Sequence, residues 1–388
     1  MTTPAERAHY LNFVGVAWAL GTLLGPIVGG AFADSAATWR WAFYINLVAA
    51  AVCVPVCAFF VPPILPPAAS SYSPQQRIKR VDYLGEALWL AGISTVVAIL
   101  ASGGTIYEWT SPSLIGLYVA AAVSWILFSI QQRLSLFTVD RIFPVELFGD
   151  LDMVRLFCWS AIAIANDTVT IYSLPLLYQF AFNDDSLHAA LWILPFIGAL
   201  LVGGLPLGPL FPKFSMYKVW FLGAGALMLV AGGLSSTINL STSRGAISGY
   251  IVLQGLGCGP IVQLPFTIGQ AKIRRSESGK ATAFFSCAQM AGLVLSLGIA
   301  STVFLNDATE EIAPILPNLP RNVIQAAING VGSSLFDTLS ADDRDKVLRA
   351  IARSVGKLFY LNVAGSALGF ILALSMKQER LQLKNDEP

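Results

Sequence analysis

Gly21-Thr22-Leu23-Leu24-Gly25-Pro26-Ile27-Val28-Gly29-Gly30 sits inside an apolar run from about residue 11 to 33, long enough to cross a bilayer as a helix. Gly21, Gly25 and Gly29 recur at four-residue spacing and share one helical face, where a missing side chain admits a neighbouring backbone. Pro26 removes one intrahelical hydrogen bond and bends the segment. The pattern predicts a close-packed, slightly kinked helix contact.

Apolar runs of about twenty residues, bounded by charges, Pro or polar clusters, give ten spans in all. They cover about 11–33, 41–61, 83–103, 113–131, 156–180, 188–210, 219–238, 247–270, 281–305 and 357–376. The fold class is therefore an all-α polytopic membrane protein. Composition agrees, since 55% of the 388 residues are hydrophobic and only 12% charged, against roughly 25% charged in a soluble domain. A net charge of +1, with basic residues scattered through short loops, gives no footing for nucleic acid. Cys53, Cys57, Cys158, Cys258 and Cys287 all lie in apolar runs and read as small core residues rather than a disulfide framework. His9 and His188 have no partner at ligand spacing, so neither a metal site nor a cofactor is expected. The opening MTTPAERAHY carries an acid and an Arg ahead of an apolar run too long for a signal peptide, so the first span is expected to stay in the chain.

Orientation follows from Lys and Arg. With the amino terminus in the cytoplasm, sixteen fall on the inner side: Arg7; Arg77, Lys79 and Arg80; Arg133, Arg141 and Arg155; Lys213 and Lys218; Lys272, Arg274, Arg275 and Lys280; Lys377, Arg380 and Lys384. Short outer loops hold only Arg40 and Arg244; six more lie in or beside a long outer loop, 306–356, whose charge has little effect on topology. Both termini are expected in the cytoplasm. The sequon Asn239-Leu240-Ser241 falls in an outer loop, too near the membrane for efficient glycosylation, whereas Asn166-Asp167-Thr168 lies mid-span and is a false match.

A Pro- and Ser-rich connector through Pro62, Pro63, Pro66, Pro67 and Pro74, and a mixed-charge break from Gln131 to Arg155, divide the spans into two, two and six. The expected organisation is 1–62 with two spans, 63–153 with a connector and two-span insert, 154–378 with a six-span bundle, and a cytoplasmic tail from 379 to 388. The Gly ladder, followed by Ala31-Phe32-Ala33-Asp34 and Trp39-Arg40-Trp41-Ala42-Phe43-Tyr44-Ile45-Asn46-Leu47, resembles the major facilitator superfamily, and within it the fourteen-span drug:proton antiporters of filamentous fungi. Leu174-Pro175-Leu176-Leu177-Tyr178-Gln179, Gly269-Gln270-Ala271 and Lys280-Ala281-Thr282-Ala283 are similar to later segments of that family. The resemblance implies that Gly21, Gly25, Pro26, Gly29 and Gly30 form the antiporter motif of the family's fifth span, associated with export. It also implies that the first four family spans have no counterpart, the expectation being a truncated product or a misplaced start.

Charge inside hydrocarbon costs about 2.5–3.5 kcal/mol on insertion scales, which makes a mid-span acid a functional candidate. Asp167 is such an acid, and Ser160 and Thr170 share nearly its helical face. Three accounts fit: a cavity-facing carboxyl that exchanges a proton with either side, a protonated carboxyl hydrogen-bonded within the bundle, or a local helix break marked by Asn166 and Asp167. In the eighth span Gly255 and Gly259 permit close approach, while Gln263, Thr267 and Gln270 continue roughly that face as cavity lining or interhelical glue. Gln179, Trp192 and Gln289 complete the cavity candidates. The run Gly255-x-Gly257-x-Gly259 follows no strand and lacks a third dinucleotide-loop Gly, so it reads as helix packing. With no Walker motif, HExxH, CxxC pair or nucleophile elbow, no enzyme is expected. The expected function is a secondary transporter in a lipid bilayer, the plasma membrane being the expected one, exporting small, largely apolar organic compounds against protons. The alternative is a non-transporting remnant or accessory subunit.

Overall fold

The computed structural model describes residues 17, 20–22, 24–61, 72–138, 140–205, 210, 214, 216–274, 277–329 and 338–379. Among them, nine helices are long and apolar enough to cross a membrane, and a shorter apolar helix precedes them. In chain order the helices are α1 (Leu20–Ala33), α2 (Trp41–Phe60), a short α3 (Pro74–Lys79), α4 (Tyr83–Ser102) and α5 (Pro112–Leu134). Then follow α6 (Leu151–Ala181), α7 (Ser186–Gly204), α8 (Tyr217–Ser235), α9 (Arg244–Lys272), α10 (Ser278–Ile312), the short α11 (Arg321–Asn329) and α12 (Ala341–Ser375). All ten expected spans have a helix, although the start of the first lies outside the described residues.

Local chemistry sets several starts. Ser111, Ser243 and Ser340 side chains accept hydrogen bonds from the backbone N–H of Leu114, Ala246 and Asp343, each supplying an N-cap, and Pro112 occupies a first-turn position that needs no donor. Pro175, Pro260 and Pro265 stay inside their helices, as membrane helices tolerate.

The outer loop expected over 306–356 is instead largely helical. Helix α10 runs on to Ile312 and α12 begins at Ala341, so each has 35 residues and spans about 52 Å, well beyond a hydrocarbon core of about 30 Å. The charges that suggested a loop line a solvated face, with Lys346–Asp342 and Arg349–Asp345 paired one turn apart. Ile312, Leu316, Ile324, Ile328, Val347 and Ile351 turn inward and build a small apolar cap.

Helices α6, α7, α8, α9, α10 and α12 pack around one core that includes Trp159, Phe196, Phe221, Phe284 and Phe359. The Gly run of α9 is a packing surface as expected. A side chain on Gly255 or Gly259 would collide with the carbonyl oxygens of Phe196 or Leu200 in α7, and one on Gly257 would stand 2.6 Å from Met228 of α8.

The contact expected of the opening ladder is different. Among the described residues nothing lies within 4 Å of where a side chain would start on Gly21, Gly25 or Gly29, whereas one on Gly30 would stand 2.9 Å from the Ser186 carbonyl oxygen. Helix α1 meets the six-helix bundle at its end, where Asp34 also accepts from the Leu187 N–H at 3.0 Å. The close approach therefore falls one residue past the ladder and off its face. Helix α2 buries none of its 20 residues.

Candidate transport site in the six-helix bundle

Helix α6 runs unbroken through Asn166 and Asp167, which removes the expected alternative of a local helix break. Asn166 anchors a buried polar network joining three helices. Its Nδ2 donates to the Ile162 carbonyl at 2.9 Å, and its Oδ1 accepts from Gln254 Nε2 of α9 and Ser366 Oγ of α12, both at 3.1 Å. One turn on, Thr170 Oγ1 donates to the Asn166 carbonyl at 2.8 Å and accepts from Asn362 Nδ2 of α12 at 3.0 Å. Within the bundle these donors all find acceptors, as polar side chains at membrane depth usually do, while Gln254 Oε1 and Asn362 Oδ1 stay unmatched.

Asp167 is 3% exposed. Its Oδ1 has no hydrogen-bond partner, and its carboxyl lies in electrostatic range of the buried Cys258 thiol of α9. An unmatched buried polar atom costs about 1–3 kcal/mol; Trp159, Ser173, Tyr178 and Ser354 bear one as well, and among them Asp167 alone is an acid. Ser160 is fully buried and also without a partner, while Thr170 is drawn into the Asn166 network. The three-residue stripe is thus present in space but divided in role.

A second face gathers the amides of the eighth and ninth spans. Gln263 and Thr267 are exposed on α9, Gln270 Nε2 donates to Thr282 Oγ1 of α10 at 3.0 Å, and Gln289 Nε2 of α10 donates to the Val262 carbonyl at 3.1 Å. Gln179 and Trp192 belong elsewhere, with Gln179 about 18 Å from Asp167 along α6. Trp192 stacks on Tyr178 at 5.4 Å and 13°, and both rings, with Phe182, surround the Arg244 guanidinium, which pairs with Asp184 at 2.7 and 2.8 Å. That cage fastens the carboxyl end of α6 to the amino ends of α7 and α9, so Trp192 lies apart from Asp167.

The sequence singles out none of Gln254, Asn362 and Ser366, and offers Asn166 only as a false sequon and half of a possible helix break. A signal existed: Asn166 with Thr170, and Asn362 with Ser366, are mid-span polar pairs at i,i+4 spacing. No periodicity reveals that the two pairs face each other.

The sequence profile of the Major Facilitator Superfamily matches residues 1–297. The MFS-type transporter pgmG of Aspergillus terreus is 37% identical over 387 residues, covering 99% of this chain and 69% of the relative. The Phomenoic acid biosynthesis cluster MFS-type transporter of Leptosphaeria maculans is 34% identical over 98% of this chain and 63% of its own length. The efflux pump alnA of Emericella nidulans is 36% identical, at 98% and 69% coverage. The chain thus spans between 63% and 69% of the length of these curated relatives. With a profile over most of its length, relatives matched nearly end to end and nine membrane-length apolar helices among the described residues, this multi-pass membrane protein belongs to the Major Facilitator Superfamily, a family of transporters rather than enzymes.

Proposed function

We propose that the chain is a secondary active exporter of small, largely apolar organic compounds, driven by proton entry, in a membrane with both termini cytoplasmic, most naturally the plasma membrane. The observation that carries this is Asp167: a buried carboxyl with an unmatched oxygen, mid-span, beside a polar network that joins α6, α9 and α12. It supplies a group that takes and gives up a proton inside the bundle. The exposed amide of Gln263 and the half-buried amides of Gln270 and Gln289 supply neutral hydrogen-bonding groups for an apolar substrate carrying a few polar atoms, without fixing a charge in hydrocarbon. The efflux names of the relatives, and one relative's biosynthetic cluster, support outward transport of secondary metabolites. In this proposal Gly21, Gly25, Pro26, Gly29 and Gly30 are the antiporter motif, and access alternates by rocking one helix bundle against another. The test is export from cells expressing the chain and preloaded with fluorescent apolar compounds. Faster loss than from control cells, abolished by a protonophore, is expected; no difference with the protein in the membrane sinks the proposal.

A second reading is an accessory or non-transporting membrane subunit. It is favoured by the open faces of Gly21, Gly25 and Gly29 and the wholly unburied α2, which leave one wall of a cavity with two helices among the described residues. An upstream in-frame coding stretch for four further spans would decide against it.

A further inference from the structure

The hairpin of α4 and α5 reads in sequence as an insert between two bundles, yet among the described residues α4 packs on α10 of the six-helix bundle. At the outer end, three side chains reach backbone carbonyls that a helix terminus leaves unpaired. The Thr302 hydroxyl of α10 donates to the Leu100 carbonyl, Asn306 Nδ2 of α10 donates to the Gly103 carbonyl at 3.4 Å, and Gln325 Nε2 of α11 donates to the Gly104 carbonyl at 3.4 Å. Glycines make the fit. A side chain on Gly298 would start 2.7 Å from Leu100 Cδ1, and Gly104, at φ +72°, presses against the Asn306 amide, where a Cβ would stand 2.6 Å from its nitrogen.

At the inner end a chain of rings runs from the hairpin into the bundle. Trp89 of α4 stacks with Phe143 at 6.4 Å, Phe143 meets Phe284 of α10 at 5.6 Å, and Phe284 meets Phe157 of α6 at 4.6 Å. Below it, buried Asp82 accepts from Gly85 N at 2.9 Å, Gln131 Nε2 at 2.8 Å, Gln132 Nε2 at 2.6 Å and Ile142 N at 3.4 Å. One carboxylate thus ties the start of α4 and the end of α5 to the segment leading into α6. Breaking such a node strands several donors at once.

We propose that the hairpin and the outer cap are fixed parts of the six-helix bundle, an eight-helix unit that moves as one body. Any rocking between bundles, which rests on the alternating-access reading above, then falls on the α2 side of the hairpin. The experiment is a Leu100→Cys/Gly298→Cys pair in a background with the five native cysteines replaced, with a protease site inserted beside Phe137, which is 92% exposed. Leu100 Cβ stands 3.3 Å from the Cβ position of Gly298, close to the roughly 3.5–4.5 Å that a disulfide bridges. After mild oxidation and cleavage, the two fragments are expected to stay joined in most molecules, equally at pH 6 and 8 and with or without an apolar compound, and oxidised protein should export as fast as reduced protein. Separate fragments, a yield that varies with conditions, or export stopped by oxidation and restored by reductant would each overturn it. A parent that exports nothing sinks the exporter proposal alone, because the cross-link yield still decides this one. Should the double variant fail to fold, the wild-type chain with only the protease site serves: its halves are expected to co-elute after cleavage, and their separation in detergent would refute the fixed unit.

Discussion

Asp167 sits where a carboxyl has no solvated face to occupy, and its unmatched Oδ1 separates it from Asn166, every polar atom of which serves packing. Asp167→Asn keeps shape and removes the exchangeable proton, so folded yield should stay near wild type while gradient-driven export is lost and passive substrate exchange survives. Asp167→Leu loses both activities. Undiminished gradient-driven export by Asp167→Asn would show the acid to be structural. Asn166→Ala should act differently, stranding Gln254 and Ser366 at about 1–3 kcal/mol per unpaired group and lowering the melting temperature. Equal melting temperatures would show that the network carries no stability. The acid was legible in the sequence because hydrocarbon makes a lone carboxylate conspicuous. Its neighbours were not, because amides and hydroxyls cost less there and their partners lie 88 to 200 residues away.

Among elements, α9 depends most on small residues. Gly259→Ala inserts a methyl group against the α7 backbone and should cost about 1–3 kcal/mol, whereas Gly223→Ala in α8, with nothing within 4 Å, should be neutral or mildly stabilising. Equal thermal stability for the two variants would remove the packing account. The amino ends of α6 and α8 and the carboxyl ends of α9 and α12 share one charged knot: Lys272 Nζ donates to Asp152 at 2.8 Å and to Glu379 at 2.7 Å, and Tyr217 donates to Glu379 at 3.0 Å. The hydrogen bond from Lys272 holds the Glu379 carboxyl below its ordinary value. A lowered carboxylate pKa contributes fully above the unfolded value of about 4.3 and fades as pH falls through the folded one. Protection from hydrogen exchange over 372–379, measured relative to the base-catalysed intrinsic rate, should therefore be high at neutral pH and fall in acid below that value, and Glu379→Gln should be poorly protected throughout; a pH-independent protection in wild type would contradict the knot. Helix existence was legible because some twenty apolar residues permit little else. The carboxyl end of α10 and the amino end of α12 were not, since charges spaced for solvated helix faces look like a loop until Ile312, Val347 and Ile351 are seen to be buried.

For the whole molecule, the two-two-six division of spans is plain in sequence, but the sequence does not show which spans travel together; the carbonyl-capping side chains Thr302, Asn306 and Gln325 do. The opening Gly ladder identified the family correctly while its expected neighbour is missing among the described residues, because periodicity shows that a face is suited to packing and not what covers it. The central claim, proton-driven export centred on Asp167, is tested most directly in vesicles reconstituted with the purified chain and loaded with an apolar fluorescent compound. Imposing a pH gradient should move the compound against the direction of proton flow and alkalinise the proton-donating side in step, with neither change in vesicles carrying Asp167→Asn. Compound movement that ignores the gradient, or proton movement that Asp167→Asn leaves intact, would contradict the account.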